Sequence, residues 1–294
     1  MGLRFGAHMP TAGGIHKSLS GGAKIGCDAV QLFTASPRQW RAKPLERAAI
    51  RKFRRMAEAT GCFPLIAHDS YLINLAAGDK ELVEKSRTAF LEELERAEQL
   101  GLDYLVTHMG AHTGDGEEVG LRRLCESLNW IHGQVKGYRV RIALETTAGQ
   151  GTTLGASFDH FPEIFRQVTE AERLAVCLDT CHIFVAGYDL RTPETAKATW
   201  DAFAQKIGFE KLVCIHANDA EKGLGSRVDR HDHIGLGQIG VNGFRAFLTD
   251  PRLPEGLPVI VETPEAETMH ERNIWKLRQL TAPHTGTHAG ERAN

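Results

Sequence analysis

At 294 residues, with 42% hydrophobic and 24% charged residues, the chain is long enough for one large domain and too apolar to be mainly disordered. Its 35 Lys+Arg against 37 Asp+Glu give a formal net charge of −2, so any affinity for nucleic acid must come from a local basic face rather than from the average field. No run approaches the roughly 20 apolar residues of a membrane helix, and the opening MGLRFGAHMPTAGG lacks the apolar stretch of a secretory signal; a cytoplasmic protein is expected. The six cysteines form no CxxC pair and several sit in apolar runs such as LAVCL and LVCIH, which argues against a disulfide framework or a zinc ribbon.

Short apolar runs recur in chain order: LRFGAHM (3–9), DAVQLFT (28–34), FPLIAH (63–68), DYLVTH (103–108), VRIALE (140–145), RLAVCLD (173–179), KLVCIHA (211–217) and PVIVET (258–263). Between them lie helix-like stretches, clearest at 79–100 and 117–136, where apolar residues recur three and four apart and charges fill the opposite face. The intervals allow right-handed crossovers between parallel strands. Eight such strands alternating with helices predict an α/β fold, a (β/α)8 TIM barrel forming one domain over residues 1–280, with an open doubly wound sheet as the competitor. The tail, 281–294, is low in apolar residues and is expected to be flexible, with His284 and His288 solvated.

The residue that ends each strand carries the functional signal. His68, His108, Glu145, Asp179, His216 and Glu262 end, or nearly end, the runs LIAH, LVTH, IALE, VCLD, VCIH and VIVE. Any one of them alone reads as a loop hydrogen-bonder or a helix cap. In a parallel barrel, however, all the carboxyl ends surround one mouth, so these six residues would converge there. In CLDTCHIF, His182 follows Asp179 by three positions, and a helical turn after the strand would bring both to one concave site. The Gly-rich segment 218–240 is long for a connection of this kind and holds Asp229 and His231, with Asp232 and His233 as neighbouring alternatives.

Five histidines and four carboxylates are too many ligands for one ion, which implies two or three metals with at least one bridging carboxylate. Imidazole mixed with carboxylate suits Zn2+, with Mn2+ or Fe as alternatives. Three divalent cations would exceed the charge of four carboxylates and attract an anion, as phosphodiester hydrolysis requires.

These residues lie in segments that resemble the endonuclease IV (deoxyribonuclease IV) family of apurinic/apyrimidinic endonucleases. The similar segments are GAHMPTAGG (6–14), LFTASPRQWRAKP (32–44), HDSYLINLAA (68–77), ETTAGQGTTLG (145–155), LDTCHIFVAGYDL (178–190), HANDAEKGLGSRVDRHDHIGLGQIG (216–240) and VETP (261–264). The resemblance implies a TIM barrel with three zinc ions. His68 and His108 would be terminal ligands of the first, bridged by Glu145 to the second, which Asp179, His216 and Glu262 complete; His182, Asp229 and His231 would hold the third. It also implies a DNA-repair hydrolase that cuts the phosphodiester 5′ to an abasic site in duplex DNA, leaving a 3′-hydroxyl and a 5′-deoxyribose phosphate. Removal of 3′ blocking groups is also expected. Catalysis would rest on Glu145 and on Glu262, which orients the nucleophile. His8 would support the ligands from behind or simply be a satisfied core histidine.

A missing base must be sensed through bending of the duplex and extrusion of the damaged nucleotide. In YLIN, Tyr71 and Leu72 resemble the family's minor-groove wedge, and Arg38 in PRQW resembles the residue that enters the base stack. Arg41, Lys43, Arg227 and Arg230 are candidate phosphate contacts, while Trp40 is expected in the core. Two departures stand out: Ala35-Ser36-Pro37 where the family commonly carries a polar residue, and Asp232-His233 after His231. Abasic duplex DNA is the expected partner, with no membrane and no obligate protein partner implied. The rival is a xylose-isomerase-like sugar isomerase or epimerase using one divalent ion, which needs neither Asp229 and His231 nor a Tyr71-Leu72 wedge. A non-enzymatic metal-buffering protein is the third reading.

Overall fold

Eight parallel strands close into a barrel in the order β1-β10-β7-β6-β5-β4-β3-β2 in a computed structural model that describes residues 2–282; His284, His288 and almost all of the tail lie outside the described residues. In chain order the elements are β1 (Arg4–His8), α1 (His16–Lys24), β2 (Ala29–Phe33), α2 (Arg47–Thr60), β3 (Leu65–His68), α3 (Lys80–Leu100), β4 (Tyr104–His108), α4 (Glu117–Gln134) and β5 (Arg141–Glu145). They continue with α5 (His160–Gln167), β6 (Leu174–Asp179), α6 (Thr180–Ala186), α7 (Pro193–Lys206), β7 (Leu212–His216), β8 (Asp219–Ala220), β9 (His231–Asp232), α8 (Gly240–Leu248), β10 (Pro258–Val261) and α9 (Ala266–Thr281). The expected TIM barrel forms, and the open sheet does not.

Each barrel strand falls inside its apolar run, trimmed where the chain leaves the ladder for a loop. The long helix α3 has the ends its sequence calls for. Asp79 caps it by accepting from Leu82 N at 2.8 Å, and Gly101 closes it at φ 79°. Its Phe90, Leu94 and Ala97 form one buried stripe.

Strand pleating divides the core in two. Ala29, Ile66, Val106, Ala143, Ala175, Cys177 and Ile260 fill the barrel interior, while the alternate residues, such as Leu32, Leu105, Leu144, Leu178 and Val259, pack outward against the helices. All six cysteines are buried and free. No helix among the described residues is long and apolar enough to cross a membrane.

Two features position the site. The β6–β7 register slips between Val176 and Cys177, so that Asp179 comes to lie beside His216. The segment after β7 is organised by Asp219, a buried carboxylate that accepts from the backbone N–H groups of Gly235, Ile239 and Gly240 at 2.9, 2.9 and 3.2 Å. Gly237 is required there, because a Cβ would lie 2.5 Å from Ala220 O and 2.7 Å from Asp219 Oδ1. This folding returns the chain through the antiparallel pair β8–β9 and presents Asp229 and His231 to the mouth.

Candidate metal centre and nucleic-acid face

Parallel strand ends deliver His68, His108, Glu145, Asp179 and His216 to one side of the barrel, and Glu262 follows β10 directly. Glu145, buried at 1% exposure, is the hub. Its Oε2 lies 3.1 Å from His68 Nε2 and 3.3 Å from His108 Nε2, and its Oε1 lies 3.0 Å from His216 Nδ1 and 3.4 Å from His182 Nδ1. His216 Nδ1 is also 3.2 Å from Glu262 Oε2. Asp229 stands between His182 Nε2 at 3.2 Å and His231 Nε2 at 3.4 Å. All nine residues singled out in the sequence therefore meet.

Their potential ligand atoms fall into three groups: His68, His108 and Glu145; Glu145, Asp179, His216 and Glu262; and His182, Asp229 and His231. Asp232 and His233 join none of these groups. Asp232 accepts from His233 N, and His233 Nδ1 lies 3.2 Å from Asn273 Nδ2. Thiols come closer than the apolar cysteine runs suggest: Cys177 and Cys214 meet at His216, and Cys181 meets Asp179 and His231.

Electrostatics show how far the cluster is from carrying only structural hydrogen bonds. Burial would lower the pKa of His68, but the hydrogen bond and charge of Glu145 outweigh it and push the imidazole up to about 9. His182 and His216 are raised in the same way against burial, His182 chiefly by Asp179 and Asp229, His216 by Glu262 and Glu145. Burial opposes the ionisation of Glu145, yet His216 and His108 hold its carboxyl well below the usual range. Asp229 is held down to about 2, against burial, by His182 and His231. The buried carboxylates thus demand positive charge at their centre.

The donor set fits divalent cations in that role. His68 Nδ1 donates to Asp69 O at 3.0 Å, His182 Nδ1 to Thr146 O at 2.8 Å and His231 Nδ1 to Glu262 O at 3.3 Å. Each backbone carbonyl fixes its ring so that Nε2 is the nitrogen offered to the cluster. His231 Nε2 is buried without a hydrogen-bond partner among the described residues, 3.4 Å from Asp229 Oδ1 and 3.7 Å from Asp179 Oδ2, a nitrogen aimed between two carboxylates.

A cavity of about 260 Å3 opens over this group, lined by His8, Tyr71 and Glu262 among others. Tyr71 is 62% exposed at its rim, its ring 5.5 Å from that of Phe33, and Leu72 beside it is half-buried. Arg38, Arg41 and Lys43 are exposed on the neighbouring loop, which Ser70 Oγ ties to the Tyr71 segment by donating to Pro37 O at 2.9 Å. Arg227 and Arg230 lie on the loop that carries Asp229, both exposed; Arg227 is anchored by its N–H to Val185 O at 2.9 Å, and Arg230 Nη1 donates to Asp229 O at 2.6 Å. Trp40 packs on the core, as expected, with Lys85 Nζ 4.4 Å from its ring.

Other residues essential to this geometry carry only a weak signal in the sequence. Asn218 and Gln31 are fully buried and bond directly to proposed ligands, and Asp219 shapes the loop. Asn218 and Asp219 sit in the NDA that follows Ala217, a polar pair just past a strand end that does offer a signal; Gln31, inside the apolar run VQLF, offers only its incongruity.

Fold and site together define a TIM barrel whose mouth gathers His, Asp and Glu clusters that could hold metal ions. Residues 22–280 match the family described as xylose isomerase-like TIM barrel. A protein of Chloroflexus aggregans named probable endonuclease 4 is 50% identical over 279 residues, 94% of this chain and 97% of that one. The crystal structure of endonuclease IV from Thermus thermophilus superposes with a TM-score of 0.83 at 35% identity, covering 94% of this chain and 98% of the other. A D-psicose 3-epimerase superposes with a TM-score of 0.70 at 12% identity over 96% and 100% of the two chains, a likeness of fold alone. The chain belongs to the endonuclease IV family, within the xylose isomerase-like TIM barrels, and is an enzyme of that endonuclease class.

Proposed function

We propose that this enzyme is a zinc-dependent DNA-repair endonuclease that hydrolyses the phosphodiester 5′ to abasic sites in duplex DNA, leaving 3′-hydroxyl and 5′-deoxyribose phosphate ends, and that it also removes 3′ blocking groups. The observation that carries this reading is the contact of one buried carboxylate, Glu145, with four imidazoles, with a further Asp-His group beyond it. A one-cation sugar isomerase has no use for the group of His182, Asp229 and His231.

His68 and His108 would hold one zinc with Glu145; Glu145, Asp179, His216 and Glu262 a second; His182, Asp229 and His231 a third. Bound zinc supplies Lewis acidity to the phosphoryl oxygens and acidifies water near neutral pH. Glu262, partly exposed at 18% and facing the cavity, orients the attacking water. Tyr71 and Leu72 fill the space left by the extruded nucleotide, Arg38 enters the stack, and Arg41, Lys43, Arg227 and Arg230 bind phosphates. This local basic rim answers the near-zero net charge of the chain.

The test is a short duplex with one tetrahydrofuran abasic analogue. Zinc-replete protein should cut it once, 5′ to the analogue, and leave the undamaged duplex intact. No incision, or turnover of a ketose instead, would contradict the proposal.

A further inference from the structure

Gln31 is a polar side chain in the middle of the apolar strand β2, fully buried and directed into the barrel. An amide in that position is costly unless all its groups are bonded. Its Oε1 lies 2.7 Å from His216 Nε2, and its Nε2 donates to Glu262 Oε1 at 2.5 Å and lies 3.0 Å from His8 Nδ1. The carboxylate decides which way the amide faces: Glu262 can only accept, so the NH2 group points at it and the oxygen is left for His216. An imidazole facing that oxygen must donate from Nε2. His216 Nδ1 is then the nitrogen turned to Glu145 at 3.0 Å, Glu262 at 3.2 Å and Asp179 at 4.0 Å.

This inverts the arrangement at His68, His182 and His231, where a backbone carbonyl takes Nδ1–H and Nε2 faces the cluster. Among the described residues, no backbone carbonyl bonds the His216 ring, and its outer nitrogen is held by Gln31. We propose that Gln31 is a positioning residue. Its oxygen fixes the His216 tautomer that offers Nδ1, and its nitrogen holds the Glu262 carboxylate, so one neutral side chain sets two ligands of the same cation. Being neutral, it does so without adding charge to a site already rich in carboxylates. The inference rests on the zinc assignment proposed above.

The test compares wild-type holoprotein with Gln31→Met, which keeps the volume and loses both hydrogen bonds, and Gln31→Glu, which keeps the oxygen facing His216. Zinc content against a series of chelator concentrations, melting temperature, and kcat and KM on the abasic-analogue duplex are measured for each. Gln31→Met should release part of its zinc at roughly 10- to 100-fold lower chelator strength than wild type, with kcat reduced and KM for the duplex unchanged. Gln31→Glu should retain zinc better than Gln31→Met. Wild-type zinc retention and kcat in folded Gln31→Met would overturn the proposal, and so would a lower melting temperature with zinc retention unchanged, which marks a role in packing only. If Gln31→Met does not fold, Gln31→Glu decides: it sets a second carboxyl against Glu262 in place of the amide N–H, so its kcat should fall at unchanged KM, and an unchanged kcat would overturn the proposal. A wild type carrying no zinc would instead overturn the metal assignment beneath it, and this inference with it.

Discussion

Asn218 Nδ2 donates to Asp179 Oδ2 at 2.7 Å, and both side chains are fully buried. The other end of the same amide, Oδ1, accepts from Glu262 N at 2.8 Å, while Asp179 Oδ1 accepts from His182 N at 2.8 Å. One carboxylate thereby caps α6 and is held in place by the residue that also holds the start of the β10 loop. Asn218→Leu would leave a buried carboxylate oxygen and the part-buried Glu262 N–H unpaired, a loss of about 2–4 kcal/mol. Urea unfolding should show this as a lower midpoint at unchanged slope; a midpoint equal to wild type would contradict it.

Glu145→Gln removes the charge around which four imidazoles gather, while the side chain keeps its volume in the barrel. Incision of the abasic analogue should fall by at least about 100-fold, with binding to the duplex retained. Turnover within a few fold of wild type would remove Glu145 from the catalytic role.

Tyr71 stands 62% exposed at the cavity rim with little core to lose. Tyr71→Ala should change stability by less than about 0.5 kcal/mol and weaken binding to abasic duplex more than to intact duplex. Competition titrations with the two duplexes measure the difference; equal losses on both would mean the ring only packs against Phe33.

His132 offers a pH test away from the metal centre. It is buried in α4, neither ring nitrogen has a hydrogen-bond partner among the described residues, and burial, helped by Arg173, pushes its pKa from 6.5 down to about 4. The unfolded chain therefore takes up a proton below pH 6.5 that the folded chain refuses until about pH 4, so the contribution of His132 is present above 6.5 and is lost as pH falls through that window. Relative to His132→Leu, wild type should lose about 2–3 kcal/mol between pH 7 and pH 4. Parallel urea titrations at the two pH values give the difference, and curves that stay parallel with pH would refute it.

The barrel and six of the nine candidate ligands are legible in the sequence for one physical reason, and His182, Asp229 and His231 through their spacing from Asp179 and their place in a long Gly-rich loop. Parallel strands buried on both faces read as apolar runs, so a His, Asp or Glu at the end of such a run is conspicuous, and barrel closure brings those ends together. What is not legible depends on register and on side-chain direction. The slip between Val176 and Cys177 that sets Asp179 beside His216 has no local marker, and Asp219 reads as one more polar loop residue until three backbone N–H groups are seen to converge on it. Gln31 looks like a misplaced polar residue because its partners, His216 and Glu262, are 185 and 231 residues away. The small β8–β9 pairing is likewise a product of the loop fold around Asp219 rather than of any β-rich run.

The central claim is that these distant side chains share several cations in one pocket. Metal analysis of the purified chain, expressed as moles of each element per mole of protein, tests it most directly. The account predicts about three zinc per chain, one for each ligand group; a single Mn2+ or Mg2+, or no bound metal, would contradict it.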